Sequence, residues 1–302
     1  MQRITNALIA ESAQIPLNAD IGPFCVVGEN VILGEGVILG AGCILAAGVR
    51  LGDNCKLGNY ATLGQDVCLG QGVQIGDHTT IYPQTFIGNA CFIGSNTSVG
   101  RYPRPAVTST VKVQSDLPAL QMGEGSTVGC SAVLYAGSTY AEKVFIGDRA
   151  VVRERCVIGG NVIIGSGVTV ENDTNIGADT KVQTGSYITA YMEIEEKVFI
   201  APMVTTTNDN FMGRTEKRFK LVKGPTICRG ARVGGGSILL PGVKVAAETF
   251  VAAGALVTKD TVSKRVIKGF PAREIREVPA EELLDPHACL STSRKGKMTE
   301  GD

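Results

Sequence analysis

The 302-residue chain contains no tryptophan, and aromatic residues make up only 5% of it. A large core built on aromatic packing is therefore excluded, because rings supply much of the buried area in such cores. A charge excess of either sign is also absent, since 29 basic residues balance 29 acidic ones. No global field would attract nucleic acid or an anionic membrane surface.

Long apolar runs are missing as well. Glycine or a charged residue interrupts every apolar stretch well before the roughly 18 residues that a membrane helix needs. No signal-peptide pattern opens the sequence. We therefore expect a cytoplasmic protein with neither a membrane nor a nucleic acid as partner.

Metal-binding patterns are scarce too. The 9 cysteines include no CxxC pair, and the 2 histidines are His78 and His287. An odd number of cysteines at these spacings favours neither a disulfide framework nor a zinc site. The sequence thus predicts no metal.

What the chain does contain is glycine, 38 residues of it, and a repeat of six residues. Aliphatic residues recur at every sixth position from Ile9 to Val99. A second phase runs from Met122 to Ile200, with Tyr140 as an exception, and a third from Ile227 to Val257. A period of six fits a very short strand with two inward side chains, followed by a corner that accepts positive φ. Three such units close one triangular coil of 18 residues, and stacked coils bury the aliphatic residues.

This repeat resembles that of the hexapeptide-repeat acyltransferase family. The resemblance implies an all-β protein, a left-handed parallel β-helix of about 12 coils with two protruding loops and a short C-terminal helix and tail. The left hand comes from the resemblance, because the usual rule for crossover connections gives a right hand.

Breaks in the repeat divide the chain into segments. The predicted segments are N-terminal coils at 1–100, a protruding loop at 101–121, central coils at 122–202, an active-site loop at 203–224, C-terminal coils at 225–260, and an extension with a tail at 261–302. Long excursions from a compact scaffold are uncommon unless they serve a function. The loops are therefore where a site is expected.

The C-terminal coils carry the segment RGARVGGGSILLPGVKVAAETFVAAGALVTKDTVSKRVIKGFPAR. It resembles the signature of family members that use acetyl-CoA. The resemblance implies backbone contacts for pantetheine and basic side chains for the phosphates: Ser237, Ala253 and Gly254 for the first, and Lys259, Lys268 and Arg273 for the second. Basic side chains pair well with phosphate oxygens. A solvated basic corner that only caps the solenoid is the alternative.

The second loop, VTTTNDNFMGRTEKRFKLVKG, resembles the Thr-Asn-Asp loop of nucleotide-sugar N-acetyltransferases. The resemblance implies that Asn208 and Asp209 are catalytic and lie beside the thioester and the acceptor amine. It also implies a set of substrate-binding residues: Thr207, Asn210, Arg214, Lys217 and Arg218. The alternative is a group of local side-chain turns followed by a solvated basic run.

A general base is hard to find in this sequence. His78 lies about six coils from the loop, roughly 30 Å away, and His287 lies in the terminal tail. Asp209 or a neighbouring carboxylate would have to serve, unless the amine binds already deprotonated. Where the resemblance leads us to expect adjacent asparagines before the loop, the chain has 183–185, Gln-Thr-Gly, so the acceptor stays open.

The function predicted from these features is acetyl transfer from acetyl-CoA to an amino sugar, one attached to a nucleotide. The resemblance implies a homotrimer. O-acetylation or succinyl transfer would leave nearly the same signature on this scaffold. A non-enzymatic β-helix scaffold is the third reading, and residues 1–100 fit it best because their repeat is almost uninterrupted.

Overall fold

The computed structural model describes residues 6–107 and 116–284. Almost all of its secondary structure consists of strands two residues long, arranged in three sheets. Within each coil the chain passes from sheet 3 to sheet 1 and then to sheet 2, so that parallel neighbours lie one coil apart. The fold is an all-β parallel β-solenoid, consistent with a left-handed β-helix.

The three sheets form the faces of a prism. Sheet 1 contains Leu8–Ile9, Val26–Val27, Ile44–Leu45, Thr62–Leu63, Thr80–Ile81, Ser98–Arg101, Val133–Tyr135, Val151–Val152, Thr169–Val170, Tyr187–Ile188, Thr205–Thr206, Ile238–Leu239 and Leu256–Val257. Sheet 2 contains Ile32–Leu33, Arg50–Leu51, Cys68–Leu69, Phe86–Ile87, Gln121–Met122, Thr139–Tyr140, Val157–Ile158, Asn175–Ile176, Glu193–Ile194, Thr226–Ile227 and Lys244–Val245. Sheet 3 contains Asp20–Ile21, Ile38–Leu39, Lys56–Leu57, Gln74–Ile75, Phe92–Ile93, Thr127–Val128, Phe145–Ile146, Ile163–Ile164, Lys181–Val182, Phe199–Ile200, Arg232–Val233, Phe250–Val251, Arg265–Gly269 and Ala272–Glu277.

The predicted aliphatic repeat forms the core. The second residue of each two-residue strand points inward, as Leu45, Leu63 and Ile81 do, and each of these three is fully buried. Strand N–H groups of each coil donate hydrogen bonds to carbonyl oxygens of the next coil. Stacking therefore pairs the polar backbone groups and buries the apolar side chains. Burying each such side chain stabilises the fold by roughly 1.5–3 kcal/mol relative to leaving it in water.

Sharp corners make the short strands possible. From Phe24 to Asn96 every sixth residue has positive φ, a conformation that glycine, asparagine and aspartate adopt most readily. Glycine is also required directly after the inward residue, for a different reason, and Gly34 is an example. A Cβ there would lie 2.5 Å from the backbone nitrogen of Asp53 in the next coil. Glycine therefore lets successive corners stack closely.

The coil count of about 12 was too low, because the solenoid has about 14 turns. Two strands do not follow the six-residue aliphatic repeat. At Thr205–Thr206 the inward residue is a buried threonine, and Arg265–Gly269 adds a row to sheet 3 beyond the last hexad. A search for aliphatic residues at every sixth position misses both.

The C-terminal extension contains a hairpin that the repeat does not predict. Strand Arg265–Gly269 pairs antiparallel with Ala272–Glu277 and extends sheet 3 at the end of the prism. The predicted short helix is a 3₁₀ turn at Ala280–Glu282. Val266, Val278 and Leu283 form a small separate cluster against Phe250. The predicted tail lies, from residue 285 onwards, outside the described residues.

One inward position breaks the aliphatic rule. Tyr140 is 4% exposed, and its hydroxyl is buried without a hydrogen-bond partner among the described residues. Burial raises the pKa of this phenol well above its usual range. A buried hydroxyl without a partner costs about 1–3 kcal/mol of folding free energy.

We predict that Tyr140→Phe raises the free energy of unfolding by about 1 kcal/mol, because it removes the unpaired hydroxyl and keeps the ring. Denaturant unfolding followed by circular dichroism measures the change. Tyr60→Phe is the matched control, since Tyr60 lies on an exposed corner, and it should leave the unfolding midpoint unchanged. A loss of stability in Tyr140→Phe would mean that the hydroxyl is bonded after all.

Candidate active site

Both loops leave the prism at the same edge. The chain passes there from sheet 1 to sheet 2, and we call this the loop edge. The first loop follows strand Ser98–Arg101, and the second follows Thr205–Thr206, five strands further along sheet 1. Four corners separate them, at residues 135–137, 153–155, 171–173 and 189–191. At about 4.8 Å per coil the two loops are roughly 24 Å apart.

A cleft of about 870 Å³ lies on this edge beneath the second loop. Its wall is formed by corners and by one outward residue of sheet 1, and its roof by the loop with the short helix Arg218–Leu221. The wall includes Arg155, Glu171, Tyr187 and Tyr191, and the roof includes Asn208, Asp209, Arg218 and Phe219. This volume is within the range of small-molecule binding sites, roughly 300–1,000 Å³.

The two predicted catalytic residues both line the cleft, and Asp209 shapes the loop that carries them. Backbone N–H groups of Phe211 and Gly213 donate to its carboxylate oxygens at 2.7 and 3.0 Å. Nε of Arg218 lies 3.6 Å from Oδ2. The N–H of Phe211 contributes most to holding the pKa of Asp209 below its ordinary value.

This environment determines what Asp209 can do. The stability that its charge gives the loop is fully present above the ordinary aspartate pKa and is lost as pH falls through the lowered value. A carboxylate with a lowered pKa accepts protons weakly, so the geometry favours an orienting role over general-base catalysis. The catalytic assignment of Asp209 itself stays a prediction.

Neighbouring polar residues fix the two ends of the loop to the prism. Thr207 donates through its hydroxyl to the carbonyl of Leu239 at 3.1 Å. The carbonyl of Asn208 accepts from the N–H of Lys223 at 3.0 Å, which brings the two ends together. Among the described residues, the Asn208 side chain makes only a 3.4 Å contact, from Nδ2 to the carbonyl of Ala190, and so keeps donor capacity for a ligand.

The wall opposite the loop contains ion pairs. Glu154 is only 2% exposed, and its carboxylate accepts hydrogen bonds from Nε and Nη2 of Arg153 at 2.8 and 3.0 Å. Arg155 donates to Asp173 through Nε and Nη2 at 2.6 and 2.7 Å. Burial raises the pKa of Asp173, and the hydrogen bonds from Arg155 and Asn172 outweigh it, so the net pKa is lowered.

A chain of side chains connects the first loop to this wall. The guanidinium groups of Arg101 and Arg153 lie 5.6 and 5.1 Å from the ring centre of Tyr135. Arg153 then contacts Glu171 at 3.4 Å. The hydroxyl of Tyr187 donates to the other oxygen of Glu171, also at 3.4 Å. Outward positions lack the aliphatic repeat, so the sequence does not single out these residues; the 18-residue spacing of Tyr135, Arg153 and Glu171 is the signal that could have linked three of them.

The remaining predicted substrate residues are on the loop but not in the cleft. Asn210, Arg214 and Lys217 are exposed and do not line it. The charges of Arg214 and Lys217 lie on the outer surface of the loop. A role for them in binding stays a prediction.

The predicted cofactor residues divide between two edges of the prism. Lys259 and Arg273 line a second cleft of about 290 Å³ at the loop edge, where the C-terminal hairpin covers the last coil. Lys268 lies opposite Arg273 in the hairpin register. Ala253 and Gly254 form an exposed corner between sheets 3 and 1.

Ser237 lies inside the prism, where its polar groups are already bonded. Its hydroxyl donates to the carbonyl of Ala252 at 3.1 Å, and its own carbonyl accepts from the N–H of Thr205 at 3.0 Å. Ser237 is fully buried, so any contact with pantetheine would have to use an acceptor lone pair that its carbonyl or hydroxyl oxygen still has. Its role stays a prediction.

Residues 6–107 and 116–284 contain no group of three or more histidine, cysteine, aspartate or glutamate side chains arranged to hold a metal ion. Among the same residues, no helix is long and apolar enough to cross a membrane.

Comparison with known families identifies the repeat. The bacterial transferase hexapeptide (six repeats) model matches residues 30–65, 48–83 and 141–172. The chain thus carries the hexapeptide repeat in both its N-terminal and its central coils. No curated protein sequence matches the chain.

Several solved structures are similar to the chain at low identity. UDP-N-acetylglucosamine acyltransferase from Arabidopsis is 17% identical, with 94% of this chain and 77% of that one covered and a TM-score of 0.32. The enzyme of the same name from Francisella novicida is 19% identical, with 90% and 69% covered and a TM-score of 0.30. The H141A mutant of GDP-perosamine N-acetyl transferase from Caulobacter crescentus, in complex with CoA and GDP-perosamine, is 23% identical, with 37% and 58% covered and a TM-score of 0.25.

The carboxylate of Asp209 holds the loop in its conformation by accepting from the N–H groups of Phe211 and Gly213. We expect Asp209→Ala to expose the loop to trypsin, which cuts after Arg214 and Lys217, at least several-fold faster than in the wild type. The two backbone N–H groups would lose their acceptor. Gel analysis of limited digests measures the rate. Asp66→Ala, at a corner far from the loop, is the control, and equal cleavage in both variants would contradict the role of Asp209.

Proposed function

We propose that this hexapeptide-repeat protein is an acyltransferase that moves an acetyl group from acetyl-CoA to the amino group of a nucleotide-linked sugar. The observation that carries the proposal is the arrangement along the loop edge. The Asn208–Asp209 loop has a large polar cleft on one side and, about two coils or roughly 10 Å further on, the cleft lined by Lys259 and Arg273 on the other.

The smaller cleft is the cofactor side in this proposal. Lys259, Lys268 and Arg273 would receive phosphates of CoA, because basic side chains form charge-assisted hydrogen bonds with phosphate oxygens. The corner at Ala253 and Gly254, next to Ser237, lies at the other edge of sheet 1 from the loop, so in the proposed trimer pantetheine would follow this corner on a neighbouring copy of the chain. Its thioester end would then reach the loop, and the acceptor would occupy the larger cleft.

The proposed reaction needs few groups from the protein. The acceptor's ammonium group first loses one proton to solvent; the neutral amine nitrogen then attacks the thioester carbonyl carbon, a C–N bond forms, the C–S bond breaks, and a second proton from nitrogen ends on the departing sulfur. Asn208 is suited to donate to the carbonyl oxygen as negative charge develops there. Asp209 would hold the loop and Arg218 in place, because its lowered pKa makes it a poor proton acceptor.

The proposal includes a homotrimer. In sheet 1 the first, outward residue of each of the thirteen strands is uncharged, from Leu8 through Thr80 and Val151 to Leu256, and the charged residue Arg101 lies at the loop-edge end of Ser98–Arg101. The other two faces carry charges, such as Arg50 on sheet 2 and Lys181 on sheet 3. A long flat face without charge suits burial against another copy of the chain in a closed ring. The cleft lies at the edge of this face.

Titration calorimetry with acetyl-CoA tests the proposal, with the subunit number determined by light scattering. We expect one site per subunit of a trimer, with a dissociation constant in the micromolar range. Lys259→Ala and Arg273→Ala should each weaken binding about tenfold, the loss expected for one charge-assisted contact. Lys181→Ala is the charge-matched control. If the wild type bound no acetyl-CoA, the proposed function would be rejected.

Turnover separates the loop from the cofactor site. With GDP-perosamine as a first acceptor, chosen because the Caulobacter enzyme was solved with it, we expect CoA release that thiol detection can follow. Asp209→Asn should lower kcat and leave the affinity for acetyl-CoA within about twofold, since the change lies on the acceptor side of the loop. If the enzyme does not acetylate GDP-perosamine, other nucleotide-linked amino sugars are tested in the same assay. An unchanged kcat in Asp209→Asn would remove Asp209 from the reaction.

A further inference from the structure

Glu171 occupies a central position in the cleft wall. It follows strand Thr169–Val170 at the loop edge, in the corner below Tyr187 and facing the loop that carries Asn208. Its side chain is 23% exposed, so the carboxylate is accessible from the cleft without lying on the open surface.

The contacts of Glu171 are longer than those of every other carboxylate in the wall. Both contacts of Glu171, to Arg153 and to the hydroxyl of Tyr187, are 3.4 Å long. By contrast Asp173 and Glu154 each hold an arginine in two bonds of 3.0 Å or less. Hydrogen bonds weaken as they lengthen beyond about 3.2 Å. Glu171 therefore keeps acceptor capacity that the other two have used.

The charges around the cleft leave Glu171 without its own cation. Arg155 is held by Asp173 in two short bonds, whereas Arg218 lies 3.6 Å from Asp209 and its Nε has no hydrogen-bond partner among the described residues. Arg153, the cation nearest to Glu171, is shared with the buried Glu154 at the shorter distance. A carboxylate in a partly enclosed site that lacks a full partner favours a cationic ligand.

Aromatic rings surround the same space. Tyr187 and Tyr191 rise from the wall, and Phe219 projects from the short helix opposite, with exposed fractions of 40%, 49% and 57%. All three line the cleft. Ring faces attract a nearby ammonium group and also pack against the apolar faces of a sugar.

We infer that Glu171 is the specificity-determining residue for the acceptor, binding the ammonium group of an amino sugar within this aromatic surround. The inference rests on the proposed function for its setting, and it deepens that function by choosing an amine over a hydroxyl acceptor. A neutral hydroxyl would not compensate the charge of Glu171, whereas an ammonium group donates up to three hydrogen bonds and neutralises it.

The test is equilibrium binding without acetyl-CoA. The full chain is titrated with UDP-linked hexosamines that carry the amine at C2, C3 or C4, and with UDP-glucose, in a calorimeter. We expect the wild type to bind at least one amino sugar about tenfold or more tightly than UDP-glucose, the gain of a charge-assisted contact. In Glu171→Gln this preference should fall to within about threefold, while the affinity for UDP-glucose stays the same.

Two further variants make the result specific. Glu142→Gln removes an exposed carboxylate at a different edge of the prism and should keep the wild-type preference. Glu171→Asp should retain part of it, because the charge remains. A wild type without any preference for an amine, or a Glu171→Gln variant that keeps it, would overturn the inference. Amine preference without acetyl-CoA binding would instead reject acyl transfer and retain Glu171 as the amine-binding residue.

Discussion

The stacking of 18-residue coils is the constraint on which the rest of the structure depends. Each coil must place one aliphatic residue inward from each face and turn at three corners, and each corner must lie directly against the next. A prism that satisfies these conditions is filled by its own side chains and has no concavity. A binding site can therefore form only where the chain leaves the prism, and both departures occur at one edge.

That shared edge gives the site its character. The second loop covers side chains from three corners, at 153–155, 171–173 and 189–191, which would be a solvated row if the loop were absent. Under the loop they become the wall of a cleft, with paired ions such as Arg155–Asp173 fixing its shape. Corner residues that do not interrupt the six-residue repeat, such as Glu171, thus become part of a binding site because the loop lies over them. The loop and the corners have to be considered as one site.

The fold could be predicted from the sequence because inward positions recur strictly and tolerate few residue types. The positions of Asn208 and Asp209 beside a cleft followed from where the repeat stops. The wall could not be predicted, since outward residues obey no periodicity and their pairing, as in Arg153–Glu154, appears only once coils are stacked. The C-terminal hairpin and the buried threonine strand at Thr205–Thr206 were missed for a related reason: backbone pairing continues there after the aliphatic signal has ended.

The most direct measurement is a crystal structure of the protein with acetyl-CoA bound. If the loop edge is an acyl-transfer site, the cofactor's phosphates will lie at Lys259 and Arg273, and its thioester will contact Asn208 at the boundary of the larger cleft. Cofactor bound elsewhere on the prism, or with its thioester directed away from the Asn208–Asp209 loop, would contradict this arrangement.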